Sequence, residues 1–286
     1  IQKISYGVCV ISISNLLNKL PPKDYINSQS LILQVGDALD NLKSFKKNLL
    51  DAGYKNRDTV YEYGDYAFRG SIIDIYPMGA DSPYRIDFFD NEIVSIRIFD
   101  VETQRTIDKV NHILILPASE IKLDSKSVSH FRNQWNIEFP KESTDCSIYR
   151  DVVNFIPFAG IESYLPLFYE EVDTFFDYIN NNSIIVTFPG VEKQINKTIE
   201  YINERYDQNN IDKSRPFLSP KKIYLTEQNL FSKLKNYPRL VISPDNAKEI
   251  KNKDHINFKC TTNPKLIIEV DQDYFLNKIN ELVKLI

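Results

Sequence analysis

Tyr84-Arg85-Ile86-Asp87-Phe88-Phe89-Asp90-Asn91-Glu92-Ile93-Val94-Ser95-Ile96-Arg97-Ile98-Phe99 reads as two strands and the turn between them. Apolar and polar residues alternate with the period of two that a half-buried strand requires. Asp90-Asn91 predicts a tight hairpin, because both residue types tolerate the positive φ such turns demand. Alternation puts Tyr84, Ile86 and Phe88 on one face and Arg85, Asp87 and Phe89 on the other. In the second arm it turns Val94, Ile96 and Ile98 inward, and Ser95 and Arg97 outward.

Working outward, Gly64-Asp65 is a turn signal, and Arg69 lies in the strand-turn before Gly70. Residues 71–76 and 112–116 are further β-rich runs, the first set off from the hairpin by Pro77, Gly79, Asp81, Ser82 and Pro83. Residues 40–53 predict an amphipathic helix. Leu42, Phe45, Leu49 and Leu50 form its apolar stripe, Asp40 is the expected N-cap, and Gly53 the expected C′ residue. Residues 60–117 are therefore expected to fold as a compact α+β domain, an antiparallel sheet with at least one helix packed on it.

The flanks read as α/β. A strand over 8–13 and a helical turn over 14–17 end at Pro21-Pro22, which cannot continue a helix. A buried strand so near residue 1 suggests a piece of a longer chain. Between 118 and 250, strands are expected at 184–188 and 240–242, with helices over 191–206 and from Thr226 onward. A last helix is expected over 274–286.

Composition is that of a folded protein: 286 residues, 42% hydrophobic, 26% charged, with 17 Tyr and 17 Phe. Those aromatics supply more apolar surface than a disordered chain carries. A net charge of −4 argues against a broadly basic nucleic-acid surface. Apolar runs fall well short of the roughly 20 residues a membrane helix needs. Cys9, Cys146 and Cys260 are isolated, as reduced thiols in the cytoplasm would be, and His112, His130 and His255 are scattered.

Sites for small-molecule chemistry are missing from the pattern. No glycine precedes a lysine, so no phosphate-binding loop exists, and no glycine pair has dinucleotide-fold spacing. Zinc-ligand pairs and a GxSxG elbow are absent too. Glu170, Glu171, Asp173 and Asp177 could be acid/base or metal groups, but without a basic neighbour they read as a solvated face. Trp135, Tyr164, Phe168 and Tyr169 sit among leucines rather than lysines, which favours core packing over base stacking. The outward face of the hairpin offers more. An exposed phenylalanine flanked by arginines is the composition of a protein-binding hot spot. The competing reading buries Phe89 in part and pairs the arginines with Asp87, Asp90 or Asp100.

The run Gly64-Asp65-Tyr66-Ala67-Phe68-Arg69-Gly70-Ser71-Ile72-Ile73-Asp74-Ile75-Tyr76-Pro77 resembles the module shared by UvrB and the transcription-repair coupling factors. Pro83 to Ile93, Phe99-Asp100 and Thr103-Gln104-Arg105 resemble the coupling-factor version. So do Phe131-Arg132-Asn133-Gln134-Trp135, Gly160-Ile161-Glu162, Pro166-Leu167-Phe168 and the stretch from Leu234 to Arg239. The likeness covers nearly the whole chain.

That resemblance implies a discontinuous RecA-like, UvrB-like α/β domain interrupted by an inserted α+β domain. Residues 1–30 would end its first half, 31–117 would be the UvrA-binding domain, 118–250 the returning half, and 251–286 a linker into the next domain. It implies UvrA contacts at Arg69, Arg85 and Phe89, with Asp87 and Glu92 as second candidates, which favours the docking reading of the hairpin face. Whole family members are ATP-driven double-stranded-DNA translocases that displace stalled RNA polymerase. Their ATP and Mg sites and their polymerase-binding domain would lie beyond Ile286, leaving this part without a catalytic site or cofactor. Alternatives are a fragment of UvrB itself, a damage-recognising ATPase, and an unrelated hydrolase using the 170–177 carboxylates.

Overall fold

The structure, a computed structural model, describes residues 7–140, 146–209 and 215–242. It opens with α1 (Ile13–Leu16), β1 (Lys19–Leu20), α2 (Lys23–Gln29), β2 (Leu31–Gln34) and α3 (Leu42–Asp51). Then come β3 (Lys55–Asn56), β4 (Asp65–Arg69), β5 (Ile72–Ile75), β6 (Tyr84–Phe89), β7 (Glu92–Phe99), β8 (Thr106–Val110) and β9 (His112–Ile115). Strands β3 to β8 form one six-stranded sheet in sequence order, antiparallel throughout except for the parallel β3–β4 edge. Strand β9 returns to pair with β2 in a separate ribbon.

One face of the large sheet is the core. Tyr66, Ile73, Ile75, Ile86, Phe88, Ile93 and Ile96 bury against Phe45 and Leu49 of α3 and against Leu33, Ile113 and Ile115 of the ribbon. At roughly 25 cal/mol per Å² of apolar surface removed from water, this shared burial is what holds helix, sheet and ribbon together. The α3 stripe is narrower than expected, with Leu50 half exposed. Its N-cap is Asn41 rather than Asp40: the Asn41 side chain accepts from the Ser44 amide at 2.7 Å, three residues on, where a capping oxygen reaches. Gly53 does follow the helix with φ +90°, and a Cβ there would strike Ser119.

The hairpin β6–β7 forms as read, with Asp90 at φ 54° in its two-residue turn. The register, however, shifts between Asp87 and Phe88. This bulge places an extra residue in β7, so Ile93 and Ile96 both point inward and Val94, expected inside, is 49% exposed.

The same compact unit, residues 18–178 with 203–225, contains a second core. That core is built from α4 (Ser125–Glu138), α5 (Ser147–Val153) and a 3₁₀ helix (Ile161–Leu167); the unit also holds β10 (Asp173–Thr174), which pairs with β1, and α6 (Phe175–Tyr178). Asp124 starts α4 with a capping box. Val128, Phe131 and Trp135 then bury one helical stripe against Ile148, Val152, Tyr164 and Phe168. The aromatics weighed for base stacking are thus largely core. Of the 170–177 carboxylates, Asp173 accepts from the Lys23 amide at the start of α2 and Asp177 closes a local turn by accepting from Thr174, both structural roles.

The chain continues with β11 (Ile185–Thr187), α7 (Val191–Asn209), α8 (Pro220–Ile223), α9 (Glu227–Leu234) and β12 (Arg239–Val241). A second unit is built from the described parts of 1–17, 179–202 and 226–286, and in it β11 pairs parallel with β12. The strand expected over 8–13 does not form: residues 7–12 have no ladder partner among the described residues, and α1 begins at Ile13. An apolar run is a strand only where another strand pairs its backbone. The helix expected over 274–286 lies outside the described residues.

Candidate partner-docking face

The face of the large sheet turned away from α3 is ruled by cross-strand pairs. One row runs Ala67, Asp74, Arg85, Arg97, Lys109 across β4 to β8. The next runs Arg69, Ile72, Asp87, Ser95. Beyond it Phe89 faces Glu92 at the hairpin end.

Within these rows the charges are treated differently. Arg85 is held on three sides. Its Nε and Nη2 donate to Oδ1 and Oδ2 of Asp74 at 2.6 and 2.9 Å, and its Nη1 donates to the Gln104 carbonyl at 3.3 Å. The guanidinium lies 4.9 Å over the Phe99 ring. Asp74 is 1% exposed and the Arg85 side chain 17%. The Asp74 hydrogen bonds push the Arg85 pKa above its already high ordinary value, so the guanidinium keeps its charge. Asp87 is a second carboxylate engaged on this face: Arg97 Nη2 donates to its two oxygens at 2.7 and 2.5 Å, and Ser95 donates to it as well.

Arg69 is different. It is exposed, and its Nη2 donates only to neutral oxygens, the Asp58 carbonyl at 2.7 Å and Thr59 Oγ1 at 3.1 Å. No carboxylate lies within ion-pair distance of it among the described residues. Phe89 is 73% exposed, so its ring is not packed in the core. Glu92 is exposed at the same turn.

The five residues singled out in the sequence therefore share one face, in two chemical states. Arg69, Phe89 and Glu92 are open to solvent, whereas Arg85 and Asp87 are engaged with neighbours. The partner of Arg85 is Asp74, one strand away, and not Asp87, Asp90 or Asp100. Asp74 and Phe99 are the residues sequence reasoning missed. The signal for Asp74 was a single acid at an outward position within Ile72-Ile73-Asp74-Ile75, opposite an arginine in the next strand. A second register shift, between Ile98 and Phe99, falls on the β8 side, where Ile107 is the extra residue, and Phe99 lies on this face by continued alternation with Ser95 and Arg97. There it packs with Val60 and Ala67 in a small cluster of its own.

The outer face thus presents arginines and an exposed phenylalanine, the composition of a protein-contact surface. The profile of the UvrB interaction domain matches residues 31–121. Over 99% of its length the chain is 33% identical to the transcription-repair-coupling factor of Haemophilus influenzae, and over 97% it is 32% identical to that of Escherichia coli. The Rickettsia bellii transcription-repair-coupling factor is 30% identical over 82% of the chain. The chain belongs to the transcription-repair coupling factor family. It spans about a quarter of the length of these curated relatives, 25% of the first and 24% of the second.

Proposed function

We propose that residues 31–117 are a non-catalytic docking module that binds UvrA through the outer face of the six-stranded sheet, so recruiting excision repair to stalled RNA polymerase. The observation that carries this reading is Phe89, 73% exposed at a hairpin whose flanking strands hold ordered arginines. A protruding ring on a rigid β-scaffold loses little conformational freedom on binding, and arginines beside it can pair with carboxylates. The match to the UvrB interaction domain supports the same choice. The identity of the relatives favours a coupling factor over UvrB itself.

On this reading 1–30 and 118–250 are the two parts of a discontinuous UvrB-like domain, and 251–286 leads into a following one. Two observations support the division. The buried core beside the docking face is drawn entirely from residues between Leu33 and Ile115. The parallel pairing of β11 with β12, joined through helices, is the connection that RecA-like α/β domains use. Binding of ATP with Mg, translocation on double-stranded DNA and contact with RNA polymerase belong to other parts of such a protein. This chain supplies the repair-protein contact, in the cytoplasm. No helix among the described residues is long and apolar enough to cross a membrane.

The test is calorimetric titration of the 286-residue chain into UvrA. Saturable binding is expected, weakened by roughly 2 kcal/mol in Arg85→Ala. No heat and no complex from the folded wild-type chain would end the proposal.

A further inference from the structure

Arg85 raises a question the docking reading leaves open. An arginine meant to meet a partner is commonly free, yet this one spends Nε and Nη2 on a carboxylate of its own chain. The carboxylate is the unusual member. Asp74 is 1% exposed on a strand whose neighbours Ile73 and Ile75 are core, and it makes bonds to Arg85 with both oxygens. Burying an ionised carboxylate is costly unless it is paired and hydrogen-bonded, and an apolar residue would serve a merely structural position at least as well. What the pair confers is geometry. The bidentate fork fixes the guanidinium plane, the Phe99 ring supports it from one side, and the Gln104 carbonyl holds Nη1.

Gln104 is itself locked, with φ 58° and its side-chain amide donating to the carbonyls of Val60 and Val101. The turn before it is closed by Asp100, which accepts from the amide and hydroxyl of Thr103. Arg85 therefore joins β5, β6 and the 100–105 turn into one rigid patch between Phe99 and the hairpin that carries Phe89. Its unspent N–H bonds, one each on Nη1 and Nη2, are left in a set direction, which is the arrangement a partner carboxylate would read.

We propose that Asp74 is a positioning residue for partner docking: it never touches UvrA, but by clamping Arg85 it pre-organises the guanidinium for an acidic side chain of the partner. This inference rests on the docking reading given above. Asp74 acts through Arg85 alone, so its effect disappears when Arg85 is absent.

A double-mutant cycle on the 286-residue chain tests it, with UvrA affinity and thermal midpoint both measured. The variants are Asp74→Asn, which keeps the size and one acceptor, Arg85→Ala, the double variant, and Phe89→Ala as the independent reference. Asp74→Asn is expected to weaken UvrA binding about tenfold, to add nothing once Arg85 is alanine, and to combine additively with Phe89→Ala. The Arg85 Nε proton, protected and shifted by the carboxylate in wild type, is expected to lose that NMR signature in Asp74→Asn. Wild-type affinity in Asp74→Asn, or an equal loss with and without Arg85, would overturn the positioning role while the docking face stands. Absence of binding by the wild-type chain would instead remove the docking reading and this inference together.

Discussion

The two faces of the six-stranded sheet are built from the same alternating strands and have opposite chemistry. The inner face is a continuous apolar layer, in which Ile73, Ile75, Ile86, Ile93 and Ile96 are almost completely buried. The outer face has a cluster of only Val60, Ala67 and Phe99 as its buried apolar part, and spends its polar residues on two cross-strand ion pairs. The inner face holds the domain together, and the docking proposed above falls on the outer one, where Arg69, Phe89 and Glu92 are open to solvent.

Substitutions that separate the faces put that division at risk. The largest effect is expected inside. Ile86→Ala, at a residue with no exposed surface, should cost about 3 kcal/mol of stability by denaturant titration. If UvrA affinity of the remaining folded fraction fell as well, the faces would not be independent.

A second inner-face probe is pH. Burial raises the Tyr54 phenol to about 12, although the Met78 amide hydrogen bond partly opposes the shift. The folded state thus favours the protonated phenol. Its contribution is fully present below the unfolded value near 10 and is lost as pH rises toward 12, on the order of 2 kcal/mol in all. Absorbance of tyrosinate and circular dichroism, followed together, should show Tyr54 ionising with unfolding.

On the outer face the pattern should invert. Phe89→Ala is expected to leave the denaturation midpoint almost unchanged and to weaken UvrA binding by about 2 kcal/mol. Arg69→Ala removes a guanidinium that has no carboxylate partner among the described residues, so about 1 kcal/mol of affinity and part of the salt dependence should go with it. The smallest effect sharpens the comparison most. Val94→Asp should change stability by less than about 0.5 kcal/mol, since the bulge has already turned that side chain to water. A cost of several kcal/mol would mean Val94 belongs to the core after all.

The hairpin and its turn were legible because side-chain alternation and the Asp-Asn pair are local signals. So was the outward direction of Arg85, Asp87 and Phe89. The bulge was not, because Ile93-Val94 offers two apolar residues in sequence and nothing local says which enters the core. The ion-pair partner of Arg85 was missed for a related reason. Asp87 and Asp90 are nearer to it in sequence, whereas Asp74 is brought alongside only by the register of β5 against β6. The run at 8–13 has strand composition without a described partner, since pairing is a property of the fold and not of the segment. Helix α4 could have been found from Asp124 and Ser127 as a cap, followed by Val128, Phe131 and Trp135 on one stripe.

Hydrogen–deuterium exchange of the 286-residue chain with and without UvrA tests the central claim most directly. Slowed exchange in Glu92–Phe99, Tyr84–Phe89 and the strand carrying Arg69, with no change along Leu42–Asp51 on the inner side, is the predicted result. Protection confined to that helix or to the Ser125–Glu138 and Ser147–Val153 helices, with the hairpin unaffected, would contradict it.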